Sequence, residues 1–426
     1  MNNHVTDKSS DMQKSMAIVE EIGDENIVGN RSGIYYFDKR WRLLHDEELY
    51  QIIIKYLDKL KLTISRAAIS NIADNIKTIV YDRDLKFEPN NEHSIGMANG
   101  DLHFDECGDW RLHTPRAEDR ILVRLPHNWD PSATAPEFCG FLDAIFEGDT
   151  EAGEKANLIL ELLGYAMQTH CKFETFAIFY GSGANGKSIL LKVFAHILGK
   201  ENITAVQPAQ LGNSFHRATL HNKLANIVTE SEQGDKLPAG QIKAIASGEP
   251  MNVERKFQHP FVMEPFATII WGTNHLPNAQ DYSKALLRRV RIVEFNNFFE
   301  GEKRDRQIFE KLKAESTGII QMALNQYKQA ILRNEILLPD CVARANKRWL
   351  NESDSVALWA EQCLELNLVE TVQSSEAYEH YRTWCGENGH RGPVSHTMFG
   401  KRMDALEFEK QRHTAGIKYL NVRLKA

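Results

Sequence analysis

The chain has 426 residues, of which 42% are hydrophobic and 26% charged, which is an ordinary globular composition and length enough for about two to four domains. Its net charge of −7 excludes a molecule that is basic throughout, so any nucleic-acid site must be a local patch or form on assembly. Six scattered cysteines without a C-x-x-C pair argue against a zinc site or a disulfide framework and are typical of a reducing cytosol. With no signal peptide and no apolar run of roughly 20 residues, we expect a cytoplasmic protein without membrane contact.

The first third of the chain alternates between helical and hairpin patterns. Residues 1–29 are polar and then weakly helical, which predicts a flexible leader. Residues 30–150 carry no catalytic spacing, and we predict that they form a small, mostly helical domain. Apolar periodicity predicts helices over 46–62 and 65–80. Turn residues such as Asn99-Gly100 predict hairpins over 34–44 and 95–104.

A glycine-rich turn joins an apolar strand, residues 176–180, to an apolar helix. Its spacing is glycine, four residues and then Gly-Lys-Ser, the P-loop pattern. Glycines let successive backbone N–H groups face a phosphate, and the helix N-terminus adds positive charge. Lys187 then reaches the β- and γ-phosphates and Ser188 holds Mg²⁺, which favours ATP and Mg²⁺ as ligands over a plain turn with an accidental lysine. The predicted nucleotide-binding residues are Gly181, Ser182, Gly183, Ala184, Asn185, Gly186, Lys187 and Ser188.

An apolar strand that ends in acids follows at residues 224–232. After a P-loop this pattern is typical of a Walker B motif, in which one carboxylate helps to hold Mg²⁺ and another orients or deprotonates the attacking water. Glu230 lies nearest the strand end, and Glu232 follows two residues later. The sequence does not divide the two roles between them, so both are candidate catalytic residues and Glu230 is also a candidate metal ligand.

Another continuous apolar strand, residues 266–273, is followed by Asn274. A polar residue at the carboxyl end of a parallel strand faces the nucleotide crevice, where Asn274 could bind the γ-phosphate or the attacking water. The alternative is a turn-forming asparagine before a proline. Arg288 and Arg289 precede the next strand. They form either a solvated face or an arginine finger that acts on the γ-phosphate of a neighbouring subunit.

Between these strands, residues 253–261 have the pattern of a hairpin. Its tip carries Arg255, Lys256 and His259 beside Phe257. Cations interleaved with an aromatic ring suit the backbone and bases of single-stranded nucleic acid. An exposed polar loop has the same composition, so DNA contact by this hairpin is a hypothesis.

The C-terminal region, 336–426, is predicted to be a linker helix followed by a small module. Three helices precede two strands, which suggests a winged helix. Lys401 and Arg402 lie on the third helix, and the local excess of basic residues suits duplex phosphates. A solvated protein-interaction module is the alternative. The predicted elements are helices over 355–366, 374–385 with Ser374 as N-cap and 395–406, and strands over 408–412 and 418–424.

In their order and spacing, these motifs resemble those of superfamily 3 helicases of the AAA+ class. More narrowly, they resemble the helicase half of phage, plasmid and poxvirus primase–helicases, over nearly the whole chain from about residue 30. The resemblance implies an α/β fold: a P-loop AAA+ ATPase core with a parallel sheet over 151–335, preceded by the helical domain and followed by the winged helix. It also implies a hexameric ring that moves on single-stranded DNA, typically 3′ to 5′.

Two departures from that family pattern affect the expectations. The first 29 residues are too few for a primase catalytic domain, so no priming activity is expected of this chain. Ser231 separates the two acids, which leaves their roles unsettled. The resemblance implies phosphate and Mg²⁺ binding by Lys187 and Ser188, Walker B roles for Glu230 and Glu232, a sensor 1 role for Asn274, a channel hairpin with Lys256 and His259, and action in trans by Arg288 or Arg289.

We therefore predict an ATP-dependent replicative DNA helicase of a phage, prophage or plasmid, working in the cytoplasm of a bacterial host. Its partners would be single-stranded and forked DNA, further copies of itself in a homo-hexameric ring, and a separate primase or other replication proteins. One alternative is an origin-binding initiator that uses ATP only for assembly, against which the acids, Asn274 and the arginines argue. The other is a soluble NTPase with no nucleic-acid role, against which the hairpin and the basic C-terminal module argue.

Overall fold

The computed structural model describes residues 5–62, 64–87, 92–230, 237–257, 259–277, 283–299, 305–388, 393–414 and 416–425. These ranges form one parallel and four antiparallel sheets with helices around them. None of the helices they contain combines the length and the apolar character needed to cross a bilayer. Short 3-10 helices span Asp24–Asn26, Ala117–Asp119, Lys200–Asn202, Pro208–Gly212 and Ala218–Leu220.

The N-terminal unit is built from three helices and a three-stranded antiparallel sheet. Its first helix differs from the predicted flexible leader: it begins at a capping box formed by Ser10 and Gln13. Ile18, Val19 and Ile22 recur at helical spacing and pack into a core shared with the next two helices, which is why the segment is ordered. The elements are α1 (Asp11–Ile22), β1 (Ile27–Asn30), β2 (Gly33–Phe37), β3 (Trp41–Leu44), α2 (Asp46–Lys59) and α3 (Arg66–Ile79).

A second three-stranded sheet and two helices connect this unit to the rest of the molecule. The hairpin predicted at Asn99-Gly100 is confirmed, with Met97 paired to Gly100 across the turn. The region predicted to be a mostly helical domain with hairpins combines helices with these sheets, and its second sheet packs into the same core as the central sheet. The elements are β4 (Ser94–Met97), β5 (Gly100–Phe104), β6 (Trp110–His113), α4 (Pro136–Ile145) and α5 (Ala152–Ala166).

A five-stranded parallel sheet forms the centre of the fold. Its strands are almost fully buried, as their continuous apolar runs predict, and the strand expected over 176–180 is confirmed. The sheet strands are β7 (Phe176–Tyr180), β8 (Ile203–Thr204), β9 (Ala225–Val228), β12 (Thr268–Thr273) and β13 (Val290–Glu294), and the helices α6 (Lys187–Leu198), α7 (Ser214–Arg217), α8 (Ala239–Ala246) and α9 (Lys284–Arg289) lie between them in the chain.

The strand order of this sheet is β13-β7-β12-β9-β8. After β7 the chain runs to the far edge at β8, returns through β9 and β12, and then crosses to β13 on the other side of β7. The order therefore reverses at β7. In open parallel sheets such a reversal creates a crevice at the carboxyl ends of the strands, where ligands bind.

The predicted hairpin is present as a separate two-stranded sheet. Strands β10 (Met251–Val253) and β11 (Phe261–Met263) pair in antiparallel fashion, with Val253 opposite Phe261. The hairpin follows α8 and is joined to the amino end of β12 by residues 264–267. It therefore lies toward the amino ends of the central strands, away from the crevice.

Three further helices complete the central body. The segment expected to be a linker helix is part of the core: Val342, Ala345 and Trp349 are buried, and the Trp349 indole donates to the carbonyl of Pro277 at 2.7 Å. Their spacing places them on one face of a helix, which explains the difference from the prediction. The helices are α10 (Ile308–Ala314), α11 (Ser316–Arg333) and α12 (Asp340–Ser353).

The C-terminal module has its own core, centred on Trp359, Tyr381 and Phe399. Three helices pack on a three-stranded antiparallel sheet of order β14-β16-β15. Strand β14 was not predicted, and the N-cap of α14 is Gln373, so the expectation for Ser374 was wrong by one residue. The elements are α13 (Ser355–Cys363), β14 (Leu364–Gln373), α14 (Ser374–Glu387), α15 (His396–Ala405), β15 (Lys410–His413) and β16 (Gly416–Leu424).

Candidate functional site

The loop between β7 and α6 is shaped by glycines. A Cβ on Gly181 would lie 2.2 Å from Nδ2 of Asn185 and 2.4 Å from the carbonyl oxygen of Phe295, so no larger residue fits there. Gly183 and Gly186 have φ values of 107° and 85°, in the region that glycine adopts most easily. The conformation of the loop therefore depends on its glycines.

Asn185 fixes this loop to the end of the central sheet. Its side chain is buried and its Nδ2 donates to the carbonyl of Phe295 at 3.1 Å, just beyond β13. The backbone N–H of Phe299 donates to the carbonyl of Ala184 at 2.7 Å. The loop is thus held from outside by the segment that follows β13.

Lys187 crosses the crevice at the carboxyl ends of β7 and β12. Its ammonium group donates to the carbonyls of Gly181 at 2.8 Å and Thr273 at 2.9 Å, and to Oδ1 of Asn274 at 2.8 Å. Burial lowers the pKa of Lys187 to about 8, and the negative charge of Glu230 opposes that shift. The structure thus brings two of the predicted residues, Gly181 and Asn274, to the buried ammonium group of a third, Lys187.

Ser188 and Glu230 lie at the same edge of the sheet, and both are exposed. Ser188 is in the first turn of α6, and Glu230 follows the end of β9, where Nε2 of Gln207 donates to its carbonyl at 3.2 Å. Glu232 lies outside the described residues. In the described part of the chain no cluster of three or more His, Cys, Asp or Glu could hold a metal ion. One hydroxyl and one carboxylate nevertheless suit Mg²⁺, which takes few protein ligands and completes its shell with water and phosphate.

The arginine cluster lies at the opposite edge of the sheet. Arg288 and Arg289 end α9, directly before the amino end of β13, whereas Lys187 stands beyond the carboxyl end of the neighbouring β7. A strand of five residues separates the two edges, which is about 17 Å at roughly 3.3 Å per residue. Within one chain, neither arginine is placed to contact a phosphate bound at Lys187.

The two arginines have different surroundings. Arg289 is buried and donates to the hydroxyl of Ser247 at 2.9 Å and to the carbonyl of Ala285 at 2.9 Å. The side chain of Arg288 is 63% exposed. Both pair with Glu174, at 2.7 Å and 2.6 Å respectively. No sequence signal pointed to Glu174, because its partners are more than a hundred residues away in the chain.

The hairpin presents some of its predicted DNA contacts to solvent and not others. Lys256 and His259 are exposed, and Phe257 at the tip is completely so. Arg255 is half-buried instead: its guanidinium lies 4.8 Å from the ring centroid of Phe261 and donates to Nδ1 of His221 at 3.1 Å. Arg255 thus braces the hairpin base while the other three residues form its surface.

The C-terminal module partly neutralises its own basic residues. Lys410 pairs with Asp404, and Arg423 pairs with Glu365. Lys401 on α15 is exposed, whereas Arg402 beside it is half-buried. Of the two predicted contacts on this helix, Lys401 is therefore the more accessible.

Comparison with family models divides the chain into three matched segments. Residues 15–147 match the family described as D5 N terminal like, and residues 351–423 match the family described as poxvirus D5 protein-like. Residues 179–289, which hold the loop, Glu230 and Asn274, match a family of unknown function named DUF5906.

Three relatives among known proteins are viral. The chain is 24% identical to Primase D5 of fowlpox virus over 319 residues, which cover 68% of this chain and 39% of that protein. It is also 24% identical to a protein of Acanthamoeba polyphaga mimivirus named as a helicase, L207/L206, over 58% of this chain and 27% of that protein. A protein of Invertebrate iridescent virus 6 named as a helicase, 184R, matches 33% of this chain and 16% of its own length. The chain thus spans well under half of each relative.

A solved structure, the C terminal region of NrS-1, has a similar fold. Two of its apo structures cover 97% and 98% of this chain with TM-scores of 0.54 and 0.56, each at 13% identity. At this level of identity the likeness concerns the fold alone. The D5-type segments at both ends of the chain and the viral relatives together confirm the resemblance drawn from the motifs: this chain is similar to the viral D5 primase and helicase proteins.

Proposed function

We propose that the chain is an ATP-dependent replicative DNA helicase that works as a ring on single-stranded DNA, moving 3′ to 5′. The observation that carries the proposal is the position of Lys187, whose ammonium bridges the glycine loop, the end of β12 and Asn274 at the sheet's reversal point. A buried cation with only neutral oxygen acceptors is well prepared to exchange them for phosphate oxygens.

Each residue at this edge has a chemical task in that proposal. The loop N–H groups and Lys187 bind the β- and γ-phosphates, and Asn274, released by Lys187, becomes free to orient the attacking water. Ser188 and Glu230 would hold Mg²⁺, which supplies charge neutralisation at the transferred phosphate. Glu230 or Glu232 acts on the attacking water.

The chain path links this site to the hairpin. Asn274 directly follows the carboxyl end of β12, while β11 of the hairpin leads into the amino end of the same strand. Nucleotide-dependent movement at Asn274 can therefore be passed along one rigid, buried strand to Lys256, Phe257 and His259. This arrangement supports conversion of ATP turnover into displacement of a bound DNA strand.

A ring reconciles the acidic chain with DNA binding. Six copies of the hairpin would bring their cations together around one channel, although each chain has a net charge of −7. The exposed Arg288, remote from Lys187 in its own chain, is then the better candidate for the arginine that acts in trans. A phage, prophage or plasmid origin stays a prediction, as do the separate primase and the bacterial cytoplasm.

We propose a duplex contact for the C-terminal module, as a winged helix. The exposed Lys401 on α15 and the exposed Arg412 on β15 are the residues that would contact phosphates. This contact alone would also serve an origin-binding initiator, so it does not by itself favour a motor.

The decisive experiment is unwinding of a forked duplex, with ATPase rates measured with and without single-stranded DNA. We expect wild type to unwind and its ATPase to rise with DNA. Lys187→Ala should lose both activities, and Lys256→Ala should keep basal ATPase but lose DNA stimulation and unwinding. Lys192→Ala, an exposed lysine on α6, is the matched control and should behave like wild type.

Two further results separate the alternatives. Lys401→Ala should weaken duplex affinity and leave stimulation by single strands unchanged. An ATPase that ignores DNA, together with no strand separation, would contradict the helicase and leave a P-loop NTPase; ATP-dependent duplex binding without unwinding would instead indicate an initiator.

A further inference from the structure

A cleft of about 700 Å³ lies between the N-terminal unit and the base of the hairpin. One wall is formed by the β1–β2 turn and the segment after α3, including Arg31, Arg83 and Lys86. The other wall is formed by Phe261 and Glu264 of the hairpin region. The cleft is distinct from the nucleotide crevice, because its central-body wall lies toward the amino ends of the sheet strands.

The charge of this cleft is unbalanced. Lys86 pairs with Glu264 across it at 3.1 Å, and the pair of arginines at the end of α9 neutralises Glu174 on its floor. Arg31 and Arg83 are exposed, and within the described residues neither has an ion-pair or hydrogen-bond partner. Two guanidinium groups on one wall are thus available to an anionic ligand.

Aromatic side chains line part of the cleft, which continues from the base of the hairpin. Half-buried Phe87 packs against Tyr35 with ring centroids 4.4 Å apart, and Phe261 carries the guanidinium of Arg255 on its face. Arg255 directly precedes the exposed Lys256 and Phe257 of the tip. A polymer with alternating charged groups and flat rings, such as a single strand of nucleic acid, would therefore reach this cleft directly after it passes the hairpin tip.

We propose that the cleft binds the sugar–phosphate backbone of single-stranded DNA beyond the hairpin tip, through Arg31 and Arg83. The inference rests on the proposed function and extends it, because it gives the N-terminal unit a direct part in holding the translocated strand. Guanidinium groups beside aromatic rings are the usual composition of sequence-tolerant single-strand sites.

The test is the affinity of the full chain for a fluorescently labelled oligo(dT), measured by anisotropy over a range of salt concentrations. Each phosphate contact contributes about 0.7 to the slope of log affinity against log salt, so Arg31→Ala with Arg83→Ala should flatten it by about 1.4. By the same relation, the affinity near 0.1 M salt should fall on the order of twentyfold. Arg40→Ala, an exposed arginine of the β2–β3 turn, is the matched control and should change neither quantity.

The possible results separate this proposal from the helicase itself. If wild type does not bind oligo(dT), both fail. If wild type binds and Lys256→Ala weakens binding, but the double variant matches wild type in slope and affinity, the cleft proposal alone is overturned. Loss of unwinding by the double variant with unchanged oligo(dT) affinity would assign the cleft to a protein contact and overturn the proposal as well. Since both arginines are exposed, thermal unfolding of the double variant should equal that of wild type.

Discussion

Lys187 is a charged side chain held in a buried position by three neutral oxygens. Burial lowers the pKa of its ammonium group to about 8, so near neutral pH it remains mostly protonated, whereas it is mostly neutral by pH 9. A bound triphosphate favours the charged form. Nucleotide binding above pH 8 would therefore take up a proton. Because protons become scarcer as the pH rises, the affinity for nucleotide would fall.

We predict that the dissociation constant for ATP is steady from pH 7 to 8 and then rises toward tenfold per pH unit up to pH 9.5. This pH range lies above the last ionisation of a phosphate, near pH 6, so the nucleotide itself does not titrate in it. Lys187 is then the group that titrates. Fluorescent-nucleotide titrations at constant ionic strength would measure it. Lys187→Ala should bind weakly without this pH dependence, and a wild-type affinity that stays constant through pH 9.5 would contradict the prediction.

At the scale of elements, the junction of β7 and α6 depends on a close approach of backbones. Gly181 leaves just enough room for the side chain of Asn185 to reach the carbonyl of Phe295. A methyl group at Gly181 would separate the loop from the segment after β13. The loop N–H groups that would face a bound phosphate would then lose their common orientation.

We predict that Gly181→Ala lowers ATPase activity by at least about a hundredfold, because a shift of about 1 Å in a positioning loop costs that much. Gly140→Ala is the matched control, since Gly140 lies inside α4 with no atom within 4 Å of an added Cβ. It should keep full activity and stabilise the fold by about 0.5–1 kcal/mol. Circular dichroism and thermal unfolding would check that Gly181→Ala is folded; a folded, fully active variant would refute the role of this contact.

At the scale of the whole molecule, the candidate catalytic groups lie at two edges of one sheet. Lys187, Ser188 and Glu230 stand at the carboxyl edge, and Arg288 stands at the amino edge beside Glu174. Such a division suits a ring in which one edge of each subunit faces the other edge of its neighbour. A complete site would then form only between two chains.

We predict that Lys187→Ala and Arg288→Ala chains, each inactive alone, regain ATPase activity when mixed. With random assembly, about a quarter of the interfaces combine an intact lysine with an intact arginine. Arg289→Ala should instead lower the thermal midpoint, since it removes a buried group bonded to Ser247 and Glu174. ATPase measured against mixing ratio is the readout, and a mixture with no more activity than its parts would contradict the trans arrangement.

The amino-acid sequence by itself determined the local elements at the carboxyl edge of the central sheet. The glycine pattern of 181–186, the apolar runs of β7, β9 and β12, and the helical spacing in α2 and α3 are statements about neighbouring residues, and local sterics and burial decide them. The order of the motifs also carried the family resemblance. The motifs predicted that Lys187 and Asn274 act near the same phosphate, but they did not predict that Lys187 donates to Gly181, Thr273 and Asn274.

The tertiary structure decided what depends on contacts between distant residues. Residues 11–22 look weakly helical alone and become an ordered helix because Ile18 and Ile22 are covered by α2 and α3. Helix α12, expected to be a linker, belongs to the core because it packs on β13, where Asn346 accepts from the N–H of Ile292 and donates to the carbonyl of Val290. Glu174 between the two arginines and the cleft of Arg31 and Arg83 have no signature in sequence, since their partners come together only when separate elements pack.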